Sequence, residues 1–228
     1  MLNRVFQKFF KIILAVCISA NFGYSQTASD VVSSSKPILW MGIDYSHAKL
    51  YGNFSQLKVA APYREVDVKE AEEIRDVYFP AWNQLVLRES DKYNLERALR
   101  RNKILSDLTM MNVRNSDTDL RTMFPRKKIV LNPQKISSII ETYEMSVIDQ
   151  KRGISMVIIV ESMNKDTEKS IMYVTFFDIA TKKVLITERM IGRASGVGFR
   201  NYWVRPIYEV IKRIYDSKYK SWKYHYLK

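Results

Sequence analysis

The chain is poor in sulfur and imidazole chemistry, with one cysteine, Cys17, and two histidines, His47 and His225, among 228 residues. Beyond Cys17 there is no thiol, which excludes a disulfide, a cysteine nucleophile, a thiolate metal site and a CxxC redox pair from the remainder of the chain. The two histidines have no close Asp, Glu or His at ligand spacing, so no zinc pattern is present. Long hydrophobic runs are missing too. The apolar stretch from Phe9 through Ile18 is too short to cross a bilayer as a permanent helix.

That short stretch has a specific context. Arg4, Lys8 and Lys11 precede or enter it, and Gly23-Tyr24-Ser25 follows it, which reads as an export signal over residues 1–25 cut between Ser25 and Gln26. Leu14-Ala15-Val16-Cys17 offers the alternative of a lipoprotein attachment site, but Val16 stands where Gly, Ala or Ser is usual, so soluble export to the periplasm or cell surface is the favoured reading. Loss of the signal leaves 203 of the 228 residues, and removing Arg4, Lys8 and Lys11 takes the formal net charge from +13 to +10. A basic exported protein meets anionic lipid head groups, lipopolysaccharide phosphates and cell-wall polymers, while export disfavours nucleic acid. The plain alternative is a solvated basic surface with no dedicated partner.

Residues 26–37 are small, polar and serine-rich, which predicts a flexible leader, and one globular domain is expected over 38–228. Residues 38–45 read as a buried first strand, with Gly42 marking a bulge or a close backbone approach. A loop follows over 47–66. Residues 68–90 show helical periodicity through Ala71, Ile74, Val77 and Tyr78, and Pro80 predicts a break at which a second helix starts, burying Trp82, Leu85 and Val86. Leu95, Ala98 and Leu99 predict a short helix. Residues 104–113 alternate as a second strand, with Asp107 as the exception. Asn132-Pro133 supplies a cap and a first helical residue for Ile136, Ile139, Ile140 and Tyr143.

Three strands at 154–162, 171–178 and 184–191 then follow at hairpin spacing, and a last helix runs over 203–215. This order predicts an α+β domain. Its mixed sheet of about five strands ends in a three-stranded antiparallel meander, with helices mainly on one face. Val157, Ile159, Val174, Phe176, Ile207 and Ile211 are the expected core of that region.

Four groups of residues are candidates for chemistry. The loop from Gly192 to Arg205 joins a strand to a helix, and its amides together with Arg193, Gly196, Gly198, Arg200 and Arg205 form a candidate anion site. It lacks the Lys-Ser of a phosphate loop, and Asn201 stands at the third glycine of a dinucleotide fingerprint, so a tight strand-to-helix turn is the simpler reading. Asp44, Ser46 and His47 resemble a triad in a row, but neighbours on an extended chain do not converge. Glu161 and Asp178 fall at opposite ends of the hairpin, and Asp178 precedes a turn that it is expected to hold. Residues 212–228 interleave six basic residues with Tyr215, Tyr219, Trp222, Tyr224 and Tyr226. This tail is expected to pack against the domain, the alternative being peripheral membrane contact. No catalytic residue, cofactor or metal site is assigned.

The segment from Val174 to Leu185, followed by a glycine loop and an amphipathic helix, resembles the hairpin of envelope domains of Gram-negative bacteria. These are the lipoprotein of the curli secretion pore and the amino-terminal domain of the translocation protein TolB. The resemblance covers the last third of the chain and implies assembly or scaffold roles without catalysis. The expectation is an exported, non-enzymatic envelope protein that binds or assembles with an envelope protein or an anionic envelope polymer. The alternative is a small hydrolase or ligand-binding protein using the Gly192 to Arg205 loop.

Overall fold

The structure, a computed structural model, describes residues 25–33, 35–54 and 68–228. The expected signal, Ser25 apart, and the expected loop beyond Phe54 lie outside the described residues. Among the described residues six strands are formed: β1 (Ile38–Asp44), β2 (Lys49–Tyr51), β3 (Ile104–Ser106), β4 (Ile154–Asn164), β5 (Lys169–Asp178) and β6 (Val184–Arg193). The helices are α1 (Ala28–Ser33), α2 (Val68–Glu73), α3 (Phe79–Arg88), α4 (Leu95–Leu99) and α5 (Thr109–Ser116). They continue with α6 (Pro133–Glu141), α7 (Phe199–Arg213) and α8 (Tyr219–Tyr226).

Every residue of β1 is buried, as a strand paired on both sides and covered on both faces must be. It lies parallel to β3 on one side and to β4 on the other. β2 runs parallel to the far end of β4, and β5 and β6 complete an antiparallel meander, giving the order β3-β1-β4-β5-β6 with β2 on β4. This is the α+β fold with a mixed sheet read from the sequence. Ile154 pairs with Asp178, at the opposite end of the hairpin from Glu161, and the ladder steps from Val160 to Ser162, so Glu161 is a bulged residue and Ser162 faces Ile171.

The helices lie mainly on one face, where residues of α1, α3, α4, α7 and α8 pack with Trp40, Ile158, Val174 and Phe176. On the other face α5 and α6 form a smaller layer over Met41, Val157, Ile159 and Phe177. Val157, Ile159, Val174, Phe176, Ile207 and Ile211 are all buried. Among the described residues no helix is long and apolar enough to cross a membrane.

Several local readings are corrected. The expected strand at 104–113 stops at Ser106, because the Asp107 carboxylate accepts the Thr109 amide at 2.9 Å and starts α5. Met110 and Met111 then turn under the sheet while Val113 is exposed. Between α2 and α3 the chain makes a π-helical turn, Ile74–Tyr78, in which the Phe79 amide reaches back to the Ile74 carbonyl. The extra residue puts Pro80 in the first turn of α3, where its missing N–H is tolerated, and rotates Val77 out to 54% exposure. A second π-helical turn, Ile214–Lys218, joins α7 to α8, so the tail is helical.

The segment expected as a flexible leader instead forms α1, with Val31 and Val32 buried in the core. Composition predicts a flexible leader there because Ala28, Val31 and Val32 are too few to show periodicity.

Two glycines are fixed by close approach. Gly42 sits at a register shift in β1 with φ 105°, and a Cβ there would lie 2.5 Å from Asn83 Oδ1. At Gly192 a Cβ would fall 2.4 Å from the Pro206 carbonyl oxygen, so α7 rests directly on β6.

Candidate functional site

Parallel strands aim their carboxyl ends at one edge of the sheet, and open α/β sheets place ligands there, at the point where connections leave in opposite directions. Here β1 is that strand. Its partner β3 stops early, leaving the last residues of β1 without a strand neighbour on that side. Two buried asparagines fill the gap. Asn83 of α3 accepts the Ile43 amide at 2.7 Å and donates to the Ile43 carbonyl at 3.0 Å. Asn115 of α5 donates to the same carbonyl at 2.9 Å and accepts the Tyr45 amide at 2.7 Å. The end of β1 is thus clamped by one helix from each face.

Asp44, next along, has a fully buried side chain. Its Oδ1 accepts the Ser46 amide at 2.8 Å and the Ser46 hydroxyl at 2.6 Å. Its Oδ2 accepts the Tyr143 hydroxyl at 2.7 Å and Arg114 Nε at 3.4 Å. Arg114 also donates to Thr142 Oγ1 at 3.2 Å and Ser46 Oγ at 3.3 Å, and its guanidinium lies over the Tyr143 ring at 4.7 Å. Burial, and then the Asp44 charge, holds the Tyr143 phenol protonated well above its usual range. The turn after β1 does bring Asp44 and Ser46 together, which the extended-chain argument did not anticipate. The Ser46 hydroxyl donates to Asp44, and neither histidine takes part in a hydrogen bond with it. His47 is half-buried beside this cluster. Desolvation lowers its pKa; Asp44 raises it, and Arg114, Lys135 and Lys49 lower it further.

Residues 124–130 form a strap held at both ends and once between them. Its start is fixed by buried Met123, whose carbonyl accepts the Leu50 amide of β2 at 2.7 Å. Its end is fixed at Leu131, whose amide donates to Glu161 Oε2 at 2.9 Å and whose carbonyl accepts the Tyr173 hydroxyl at 2.7 Å. Midway, the Ile129 amide donates to the Tyr51 hydroxyl at 2.8 Å. Between these anchors Arg126, Lys127, Lys128, Ile129 and Val130 are all exposed. From Asp119 to Lys135 there are five basic residues and one acid. Glu161 is therefore a positioning group. Arg189 compensates its buried charge at 2.8 Å, and that hydrogen bond raises the arginine's pKa.

The candidate anion loop is arranged differently. Gly196 and Gly198 take positive φ of 121° and 79°, as a strand-to-helix turn requires, and Val197 between them is 90% exposed. The Arg193 amide donates to Glu209 Oε2 at 2.8 Å, and Arg205 approaches the same carboxylate at 3.9 Å while stacking on Tyr208. Arg200 donates to Asn201 at 3.3 Å. The Arg193 backbone amide and the Arg205 side chain thus turn to an acid of α7, and Arg200 to a neutral amide of the same helix.

Asp178 holds its turn, accepting the Thr181 amide at 2.9 Å. In the tail Tyr219 and Trp222 are buried and Tyr224 is exposed. Trp222 donates to Glu188 and packs edge-on to Phe176 with ring centroids 5.6 Å apart. Among the described residues no group of three or more His, Cys, Asp or Glu could hold a metal.

Sequence reasoning missed Asn83, Asn115, Arg114, Tyr143 and the strap. The asparagines did carry a signal, as polar residues within the apolar helical faces around Trp82 and Met111. Comparison of the chain with protein-family models, curated proteins and solved structures found no match.

Proposed function

We propose that the chain is an exported, non-enzymatic envelope protein that binds an anionic envelope component through the strap at 126–130. One observation carries this reading. At the sheet edge where an α/β enzyme keeps its reacting groups, Asp44, Ser46 and Tyr143 are locked to one another, while Arg126, Lys127 and Lys128 of the anchored strap stand exposed. A rigidly anchored run of cations next to exposed Ile129 and Val130 suits a surface carrying both phosphate and acyl groups. His47, neutral over more of the pH range than an ordinary histidine, adds no fixed charge, whereas Lys135 and Lys49 extend the positive field. The tail contributes little to such binding, because its largest ring is spent on the core.

The export half is tested by the intact mass of protein recovered from the native envelope. A chain starting at Gln26 without an acyl group is expected, and an acylated chain starting at Cys17 would overturn it. The binding half is tested by co-sedimentation with vesicles containing lipopolysaccharide. Arg126→Gln/Lys127→Gln/Lys128→Gln is expected to bind at least about tenfold more weakly, since each cation near an anionic surface contributes about 1 kcal/mol. Undiminished binding by that variant would remove the strap from the account.

A further inference from the structure

The residue that export would make the first of the mature chain is already docked. The Gln26 backbone nitrogen donates to Asp178 Oδ2 at 2.7 Å, and Asp178 is only 3% exposed, its other oxygen holding the Thr181 amide. The following residues are tied down as well. Arg101 donates to the Val31 carbonyl at 2.6 Å, and the Tyr219 hydroxyl donates to the Val32 carbonyl at 3.0 Å. Gln26 and Asp178 line a cavity of 590 Å³, with Ser25, Lys36, Arg152 and Thr181 also on its wall. The expected scissile bond therefore lies at the mouth of a cavity, one residue from a buried carboxylate.

We infer that signal removal turns this hydrogen bond into an ion pair that staples the amino terminus to the sheet. The inference rests on the export reading above. In the uncut chain the Gln26 nitrogen is a neutral amide with one proton. Hydrolysis adds water across the Ser25–Gln26 bond, so that Ser25 leaves with a carboxylate and Gln26 keeps an α-ammonium. At neutral pH that ammonium meets Asp178 in a charge-assisted contact, stronger than the amide contact it replaces. Lys36 and Arg152 are like charges on the same wall, and Asp178 is the only acid among the described residues lining that cavity.

A second consequence concerns modification. An amino-terminal glutamine closes to pyroglutamate when its free amine attacks its own side-chain carbonyl carbon and expels ammonia. An ammonium held on Asp178 has no lone pair to attack with, so the folded mature chain resists this closure.

The test uses the full chain exported from a Gram-negative host, as wild type and as Asp178→Asn. The processed protein is compared in urea with the same protein allowed to cyclise while unfolded and then refolded, which removes the charge and leaves Asp178 intact. The open form is expected to have an unfolding equilibrium constant about tenfold smaller, a difference that Asp178→Asn abolishes. Loss of ammonia from the folded chain, followed by mass, is expected to be about tenfold slower in wild type than in Asp178→Asn. Equal stabilities and equal rates in protein that starts at Gln26 would overturn the staple alone. An uncut chain, or one acylated at Cys17, would overturn the export reading and the staple together.

Discussion

Asp44 and Tyr45 are neighbours, both buried, and opposite in what they receive. The Asp44 carboxylate is fully engaged by Ser46, Tyr143 and Arg114, whereas the Tyr45 hydroxyl has no hydrogen-bond partner among the described residues. Leaving a buried group unpaired costs far more than a made bond contributes. Tyr143→Phe is therefore expected to cost about 1–3 kcal/mol in urea unfolding, because it strips Asp44 of its phenolic donor. Tyr45→Phe removes an orphan and keeps the stacking on Phe79, so it is expected to be neutral or stabilising. The reverse order would show that the Asp44 cluster is not what holds this edge.

His47 gives the same region a pH signature. Its folded pKa lies below the ordinary value, so in that window the unfolded state binds more protons than the folded one, and stability rises with pH. Unfolding free energy is expected to climb between the lowered folded value and about 6.5, and His47→Gln is expected to flatten that climb. An unchanged climb in the variant would assign it to other groups.

At the scale of elements, the long apolar strands and capped helices were legible and the short or interrupted ones were not. Ile154–Asn164, Lys169–Asp178 and α6 declare themselves by β-branched runs and by Asn132-Pro133. β2 and β3 are three residues long, β3 ending at the Asp107 turn, and neither length carries a usable period. The two π-helical turns shift the hydrophobic face by one residue, which no fixed 3.6-residue period registers. The site was less legible still. Arg114, Tyr143 and Asp44 are far apart in sequence and meet only when α5 and α6 cover the sheet. The contact of α7 with β6 shows how tightly elements are matched. Gly192→Ala would drive a methyl into the backbone of Pro206, so a loss of about 1–3 kcal/mol or more is expected in urea. Phe176→Ala, which empties the space under Trp222, is expected to lose about 3–5 kcal/mol.

At the scale of the whole molecule, positive charge is in excess and is displayed unevenly. The tail places Tyr219 and Trp222 inside the fold, so a chain ending at Ser217 is expected to lose stability, seen as a lower urea midpoint, before it loses any surface affinity. The strap has the reverse character, being held by backbone contacts that leave its cations in solvent. Its charges can be removed without touching the core, which separates binding from folding. The deciding measurement is the salt dependence of vesicle binding by the processed chain and by Arg126→Gln/Lys127→Gln/Lys128→Gln, at equal urea stability. The account predicts binding that weakens steeply with salt in the wild type, and weak binding with a shallow salt dependence in the variant. Equal affinities and equal salt dependence in the two proteins would contradict it.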